Sequence, residues 1–297
     1  MSAISHELNF SALEQIGDLG LRARIMVQSY FTGVHTSPRY GHNAEFASYR
    51  EYVAGDDIKH IDWRAWARTD NYFVKLFNAD CNLSGIIALD TSDSMCFNGP
   101  ETQKYRMGLT TAAALAMLML RQHDTFGFVS FNDRVQTDIE PRSSDTHFCR
   151  ILHTLDTLVP GGPTGFSALS ILLEQRLKKR SIIMVISDFT ADIAEIADGI
   201  ARLAFYGHEL VLLRPLSEDE SLFPYRGRVV LVDSETGERQ LVRANDVRPQ
   251  YLENLAAHTK ALNSLARRHG ADCETFTTND ISVKPLAAYL IKREMLR

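Results

Sequence analysis

The chain has 297 residues, 45% apolar and 23% charged, close to the average soluble globular protein, and long enough for a large core without staples. Its 32 basic and 37 acidic residues give a net charge of −5, which argues against a general nucleic-acid binder. Cys81, Cys96, Cys149 and Cys273 are scattered without a C-x-x-C pair, the spacing of neither a zinc site nor a disulfide framework. Met1 to Phe10 lacks the basic-then-apolar pattern of a secretory signal. Ala112 to Leu120, the longest apolar stretch, is far below the roughly 20 residues of a membrane span. The expectation is a cytoplasmic protein with no membrane span.

Apolar residues at helical spacing predict one or two helices over 7–31, before Pro38 and small polar residues break the pattern between Gly33 and Gly41. The segment 40–77 holds nine of the chain's 27 aromatics, both tryptophans included, interleaved with Arg50, Lys59, Arg64, Arg68 and Lys75. Such interleaving can build a nucleic-acid platform. Over 36–80, however, six basic residues face seven acidic ones, so a satellite core is expected, with Trp63 and Trp66 packed.

From residue 84 the text alternates strands and helices. Ser84–Leu89 is a continuous apolar run stopping at Asp90, as in a strand buried on both faces. A nearly all-apolar helix follows at about 102–122. A hairpin is expected from 126–131 and 135–139 around Asn132-Asp133, then helices at 144–157 and 166–179. A second buried strand, 181–186, ends at Ser187-Asp188. Then come a helix (192–206), a strand (209–213), a long helix (247–268), a strand (272–276) and a last helix (284–295). A polar hairpin of 228–232 and 240–242 interrupts them. The order implies a mostly parallel sheet covered on both faces. Expected organisation is an N-terminal extension over 1–80 and an α/β domain over 81–297, with a hairpin insertion at about 217–245.

Ligands of open α/β sheets bind at the carboxyl ends of the strands. Asp90-Thr91-Ser92-Asp93-Ser94 opens such a loop. D-x-S-x-S in a tight turn aims one carboxylate and two hydroxyls at a point, hard oxygens suited to Mg²⁺ or Mn²⁺. The loop Gly161-Gly162-Pro163-Thr164-Gly165 offers another hydroxyl, from Thr164 or alternatively Ser167, and Asp188 offers a second carboxylate. Asp93 falls at a position the pattern leaves free. The Gly-rich loop lacks the Lys-Ser/Thr of a Walker A, and there is no G-x-S-x-G elbow. Isolated histidines such as His60 and His147 read as surface or packing residues, and nothing marks Cys96 as a nucleophile.

Asp90, Ser92, Ser94, Thr164 and Asp188, in this order, resemble the metal-ion-dependent adhesion site (MIDAS) of von Willebrand factor A domains. Upstream, Tyr49-Arg50-Glu51-Tyr52, Gly55-Asp56-Asp57, Ile61-Asp62-Trp63 and Ala67-Arg68 resemble the signature of a bacterial domain-of-unknown-function family, number fifty-eight. The likeness runs from about residue 35 to the end. It implies a von Willebrand factor A-like (Rossmann-like) α/β fold behind an N-terminal extension, and a Mg²⁺ (or Mn²⁺) site. It also implies a non-catalytic role in protein assembly or activation, beside a MoxR-type AAA+ ATPase and its clients. The enzyme alternative is a metal-dependent phosphohydrolase using Asp90. That chemistry wants a second acid two residues later, where this chain has Ser92.

Overall fold

The computed structural model describes residues 16–34, 46–51, 73–77, 83–96, 103–233, 237–277 and 284–295. They form two compact units, Met1–Val34 with Leu83–Arg297, and His35–Asn82. Helix α1 (Leu19–Val34) thus groups with the α/β unit and not with the segment that follows it. Residues 7–15 of the helical stretch expected over 7–31 lie outside the described residues.

In the smaller unit, β1 (Phe46–Glu51) and β2 (Phe73–Phe77) pair antiparallel. Trp63, Trp66 and His60 lie between them, outside the described residues, and so does the expected packing of the two tryptophans.

The larger unit is built on a six-stranded sheet. Its strands in chain order are β3 (Ser84–Asp90), β4 (Thr125–Phe131), β5 (Val135–Arg142), β6 (Ile182–Ile186) and β7 (Glu209–Leu216), with β10 (Asp272–Thr277) last. Their spatial order is β10-β7-β6-β3-β4-β5, and only β5 runs antiparallel. This is the mixed α/β class with a mostly parallel sheet that the alternation of strands and helices implied.

Strand sequences explain the burial. Side chains alternate across a sheet, so Ile87, Leu89, Met184, Ile186, Val211 and Leu213 enter one core. Their neighbours Ile86, Ala88, Ile183, Val185, Leu210 and Leu212 enter the other. The first core is closed by α1, α2 (Gln103–Arg121), α3 (Asp145–Thr157) and α8 (Lys284–Met295). The second is closed by α4 (Ser167–Arg176), α5 (Ile193–Phe205) and α7 (Ala244–Arg268). A strand covered on both faces has no room for a polar side chain, which is why β3 and β6 read as unbroken apolar runs. Helix α4 stops at Arg176, three residues short of expectation, where Leu177 turns extended.

After β7 the chain makes a short helix, α6 (Glu218–Leu222), and a separate two-stranded antiparallel ribbon, β8 (Arg228–Val232) and β9 (Arg239–Arg243), before entering α7. Among the described residues no helix is long and apolar enough to cross a membrane.

Candidate metal centre

Register brings the two strand-end acids together. Leu89 pairs with Ile186, so one step further Asp90 lies beside Ser187, and Asp188 follows at the carboxyl rim. Ser187 Oγ donates to Asp90 Oδ2 at 2.6 Å, and the Ser92 amide donates to Asp90 Oδ1 at 2.9 Å. Both carboxylates are buried.

Beyond Asp90 the chain turns into a short 3-10 helix, Asp93–Cys96. The turn gathers the hydroxyls. Thr164 Oγ1 donates to Ser92 Oγ at 2.8 Å and lies 2.9 Å from Ser94 Oγ, while Ser92 Oγ and Ser94 Oγ are 3.0 Å apart. Ser94 Oγ donates to Asp188 Oδ1 at 3.1 Å. All five sequence-expected residues therefore meet in one cluster. Ser167, the alternative to Thr164, starts α4 and is exposed, its amide donating to Glu195.

Asp93 has a different task. Its amide donates to Gly162 O and its Oδ2 accepts the Gly162 amide, clamping the D-x-S-x-S loop to the Gly-rich loop. Gly162 sits at φ 88°, and a Cβ there would come within 2.8 Å of Asn132 Nδ2, which holds Gly161 O. A side chain at 162 would thus be strained and would push apart the loop that delivers Thr164. Phe189, just after Asp188, is also left-handed, at φ 54°. A non-glycine there costs on the order of 1 kcal/mol or more. Ser187 Oγ, accepting its amide, and His258 Nε2, bonded to its carbonyl, hold it in place.

One residue of the site was not expected from sequence. Lys104, on the first turn of α2, is buried and donates to Asp188 Oδ2 at 2.8 Å and to Glu220 Oε1 of α6 at 2.6 Å. Arg214 Nε donates to the Asp188 carbonyl. Burial alone would lower the Lys104 pKa, but Asp188 and Glu220 outweigh it and hold the ammonium charged. Burial likewise pushes Asp188 up, and Lys104 more than reverses it, leaving this carboxyl below its usual range. Asp90 touches no cation among the described residues. Burial first, then the charge of Asp188, push its pKa up to about 6.

Three carboxylates, Asp90, Asp188 and Glu220, thus face two cations, with Asp90 the uncompensated one. A buried carboxylate without a counter-charge beside three converging hydroxyls is a donor set that suits a hard divalent cation. It is not a cage of acidic or soft ligands: among the described residues no three His, Cys, Asp or Glu side chains gather as a metal site. Cys96, close by, has its thiol pushed up to about 11 by burial and Asp93, far from the thiolate a nucleophile requires. His147 is a packing residue, its Nε2 2.7 Å from Phe126 O.

The raised Asp90 pKa has a signed consequence. Between about pH 4 and pH 6 the folded chain keeps a proton on Asp90 that the unfolded chain has released, so this group lowers stability as pH rises through that window. In EDTA, melting temperature should fall over this range in the wild type, and Asp90→Asn should flatten the fall. An identical profile in both proteins would place the titration elsewhere.

A family model described as protein of unknown function DUF58 matches residues 48–261. Uncharacterized protein Rv1480 of Mycobacterium tuberculosis is 26% identical over 265 residues, covering 88% of this chain and 83% of the relative, and Mb1516 of Mycobacterium bovis matches equally. Among solved structures, a conserved hypothetical protein BatB from Bacteroides thetaiotaomicron is similar with a TM-score of 0.46 at 16% identity, covering 72% of this chain and 97% of that one. The SpRpn10 VWA domain gives a TM-score of 0.40 at 12% identity, covering 71% and 94%.

Proposed function

The chain belongs to the family described as protein of unknown function DUF58, and from that premise we propose that it is a non-catalytic, cytoplasmic adaptor whose Mg²⁺-dependent site grips an acidic side chain of a partner protein. The observation that carries the reading is the convergence of buried Asp90, Ser92, Ser94 and Asp188 with half-buried Thr164 in one oxygen cluster at the carboxyl rim.

Ser92, Ser94 and Thr164 would hold the ion by their hydroxyls, with Asp90 and Asp188 balancing its charge. Mg²⁺ (or Mn²⁺) there supplies an electrophilic position that a partner carboxylate can fill in place of water. The chain's own residues do the rest. Asp93 and Gly162 fix the two loops to each other, Ser187 orients Asp90, and Lys104 keeps Asp188 ionised. The position two residues past Asp90, where a phosphohydrolase would use a general acid, is Ser92, a hydroxyl bonded to two other hydroxyls. That supports the binding reading over the enzyme one. The partner class is that of the resemblance, a MoxR-type AAA+ ATPase and its clients.

A pull-down of the full chain with a MoxR-type AAA+ ATPase tests this reading, run with about 10 mM Mg²⁺, with EDTA, and with Ser92→Ala plus Ser94→Ala. For a site of Kd about 1 mM, the same Mg²⁺ should stabilise the chain by about 1.4 kcal/mol, a few degrees in melting temperature. Retention and the thermal shift should disappear together in EDTA and in the variant. Retention that ignores both would remove the metal bridge. Phosphoester turnover lost in Asp90→Ala would replace the adaptor by an enzyme.

A further inference from the structure

The ribbon β8–β9 carries a second surface. Its register sets Arg228 opposite Arg243, Val230 opposite Leu241, and Val232 opposite Arg239. Directly opposed residues of an antiparallel pair share a face, so these six form one face of three aliphatic and three cationic side chains. All are exposed, Leu241 to 67% and Val230 and Val232 to 54% each. On the opposite face Val229 and Val242 are half-buried, while Leu231 and Gln240 are exposed.

Both halves of this pattern are unfavourable in the free chain. Like charges set directly across a strand pair repel, and no salt bridge to Arg228, Arg239 or Arg243 forms among the described residues. A two-stranded ribbon is only marginally stable, yet its aliphatic residues on this face are left to water. One kind of occupant relieves both at once: a segment whose aliphatic side chains cover Val230, Val232 and Leu241 while its carboxylates meet the arginines. We propose that this face is a docking surface for an acidic, aliphatic segment of a partner protein. A phosphate backbone would meet the arginines but leave the aliphatic centre wet, and the net charge of −5 repels a polyanion. A second copy laid face to face would bring arginine against arginine.

The ribbon is also well placed. It leaves and re-enters the unit at the carboxyl rim of the sheet. Glu220 of α6 reaches Lys104 beside Asp188, Tyr251 of α7 donates to the Glu220 carbonyl, and Arg248 of α7 donates to the carbonyls of Phe223 and Tyr225. The root of the ribbon is therefore tied to the rim that carries the metal centre. The surface itself needs no ion, so it stands or falls separately from the metal bridge.

The test uses the full chain in EDTA and two synthetic peptides of equal length, one alternating Glu with Leu and Val, the other with Lys in place of Glu. Binding is read by fluorescence anisotropy. The acidic peptide should bind and the basic one should not. Arg228→Glu with Arg243→Glu, and separately Leu241→Ser, should each weaken binding about tenfold or more while leaving the melting temperature in place. Because Leu241 is exposed, its serine variant remains a valid test if the double charge reversal fails to fold. Amide exchange over 228–243 should slow in the complex. Equal binding of both peptides would overturn the proposal, as would binding untouched by either variant or tighter binding of a single-stranded oligonucleotide. So would concentration-dependent dimers that Leu241→Ser abolishes, which would make the occupant a second copy.

Discussion

Replacing Lys104 by methionine should cost the ion-free chain about 3–5 kcal/mol, the usual consequence of removing one partner from a buried ion pair. Mg²⁺ should then restore more stability to the variant than it adds to the wild type. Methionine keeps the bulk of the lysine stem, so the loss isolates the ammonium. That ammonium lies between Asp188 Oδ2 and Glu220 Oε1 with essentially no exposed surface. Without it, the Asp188 carboxylate keeps the neutral hydrogen bonds of Ser94 and Thr190, Arg214 reaches its main-chain carbonyl alone, and the carboxylate faces Asp90 with no intervening charge. A divalent cation at the hydroxyl cluster would compete with Lys104 for Asp188, so removing the lysine should raise both the need for an ion and the affinity. An affinity gain of about tenfold corresponds to roughly 1.4 kcal/mol. Urea denaturation of both proteins, in EDTA and in Mg²⁺, gives the four stabilities. A Mg²⁺ increment no larger in the variant than in the wild type would show that the ion does not use Asp188.

That lysine illustrates what could and could not be read from the amino-acid order. Strands β3 and β6 announce themselves as apolar runs that stop at Asp90 and at Ser187-Asp188, because a strand buried on both faces tolerates polar groups only past its end. The loop residues of the candidate site follow from local spacing, since Asp90, Ser92 and Ser94 are brought together by one turn. Thr164 could be named with an alternative only, because its delivery depends on Asp93 reaching Gly162 across 69 residues. Lys104 carries no such signal. Near the start of a helix a lysine reads as a solvated residue, and only the return of the chain through β7 into α6 puts Glu220 next to it. The ribbon strands were legible as a polar hairpin, but which side chains share its bare face depends on register, which sequence leaves open by one residue.

The same limit hides a second large expected effect on stability, at Asp124. This residue sits in the tight turn between α2 and β4, and in the sequence it looks like an ordinary loop acid. In the structure it is buried and takes the Tyr289 hydroxyl at 2.5 Å and the Arg293 Nε at 2.5 Å, both from α8 at the other end of the chain. Arg293 Nη2 also donates to the Gln122 carbonyl. The first core is closed partly by α8 through Leu286, Ala288 and Tyr289, so this polar lock decides whether the last helix stays on the sheet. Asp124→Ala leaves a buried guanidinium and a buried hydroxyl without their acceptor. We expect a loss of about 3–5 kcal/mol, with a urea midpoint shifted accordingly. Removing the whole lock is a different matter, because apolar replacements of similar shape leave no orphaned charge. Asp124→Leu combined with Tyr289→Phe and Arg293→Met should recover most of the loss. If Asp124→Ala unfolds with the wild-type midpoint, α8 is held by its apolar face alone. If the triple variant is as unstable as the single one, charge pairing across the turn is required, and the penalty of an unpaired group is not the cause.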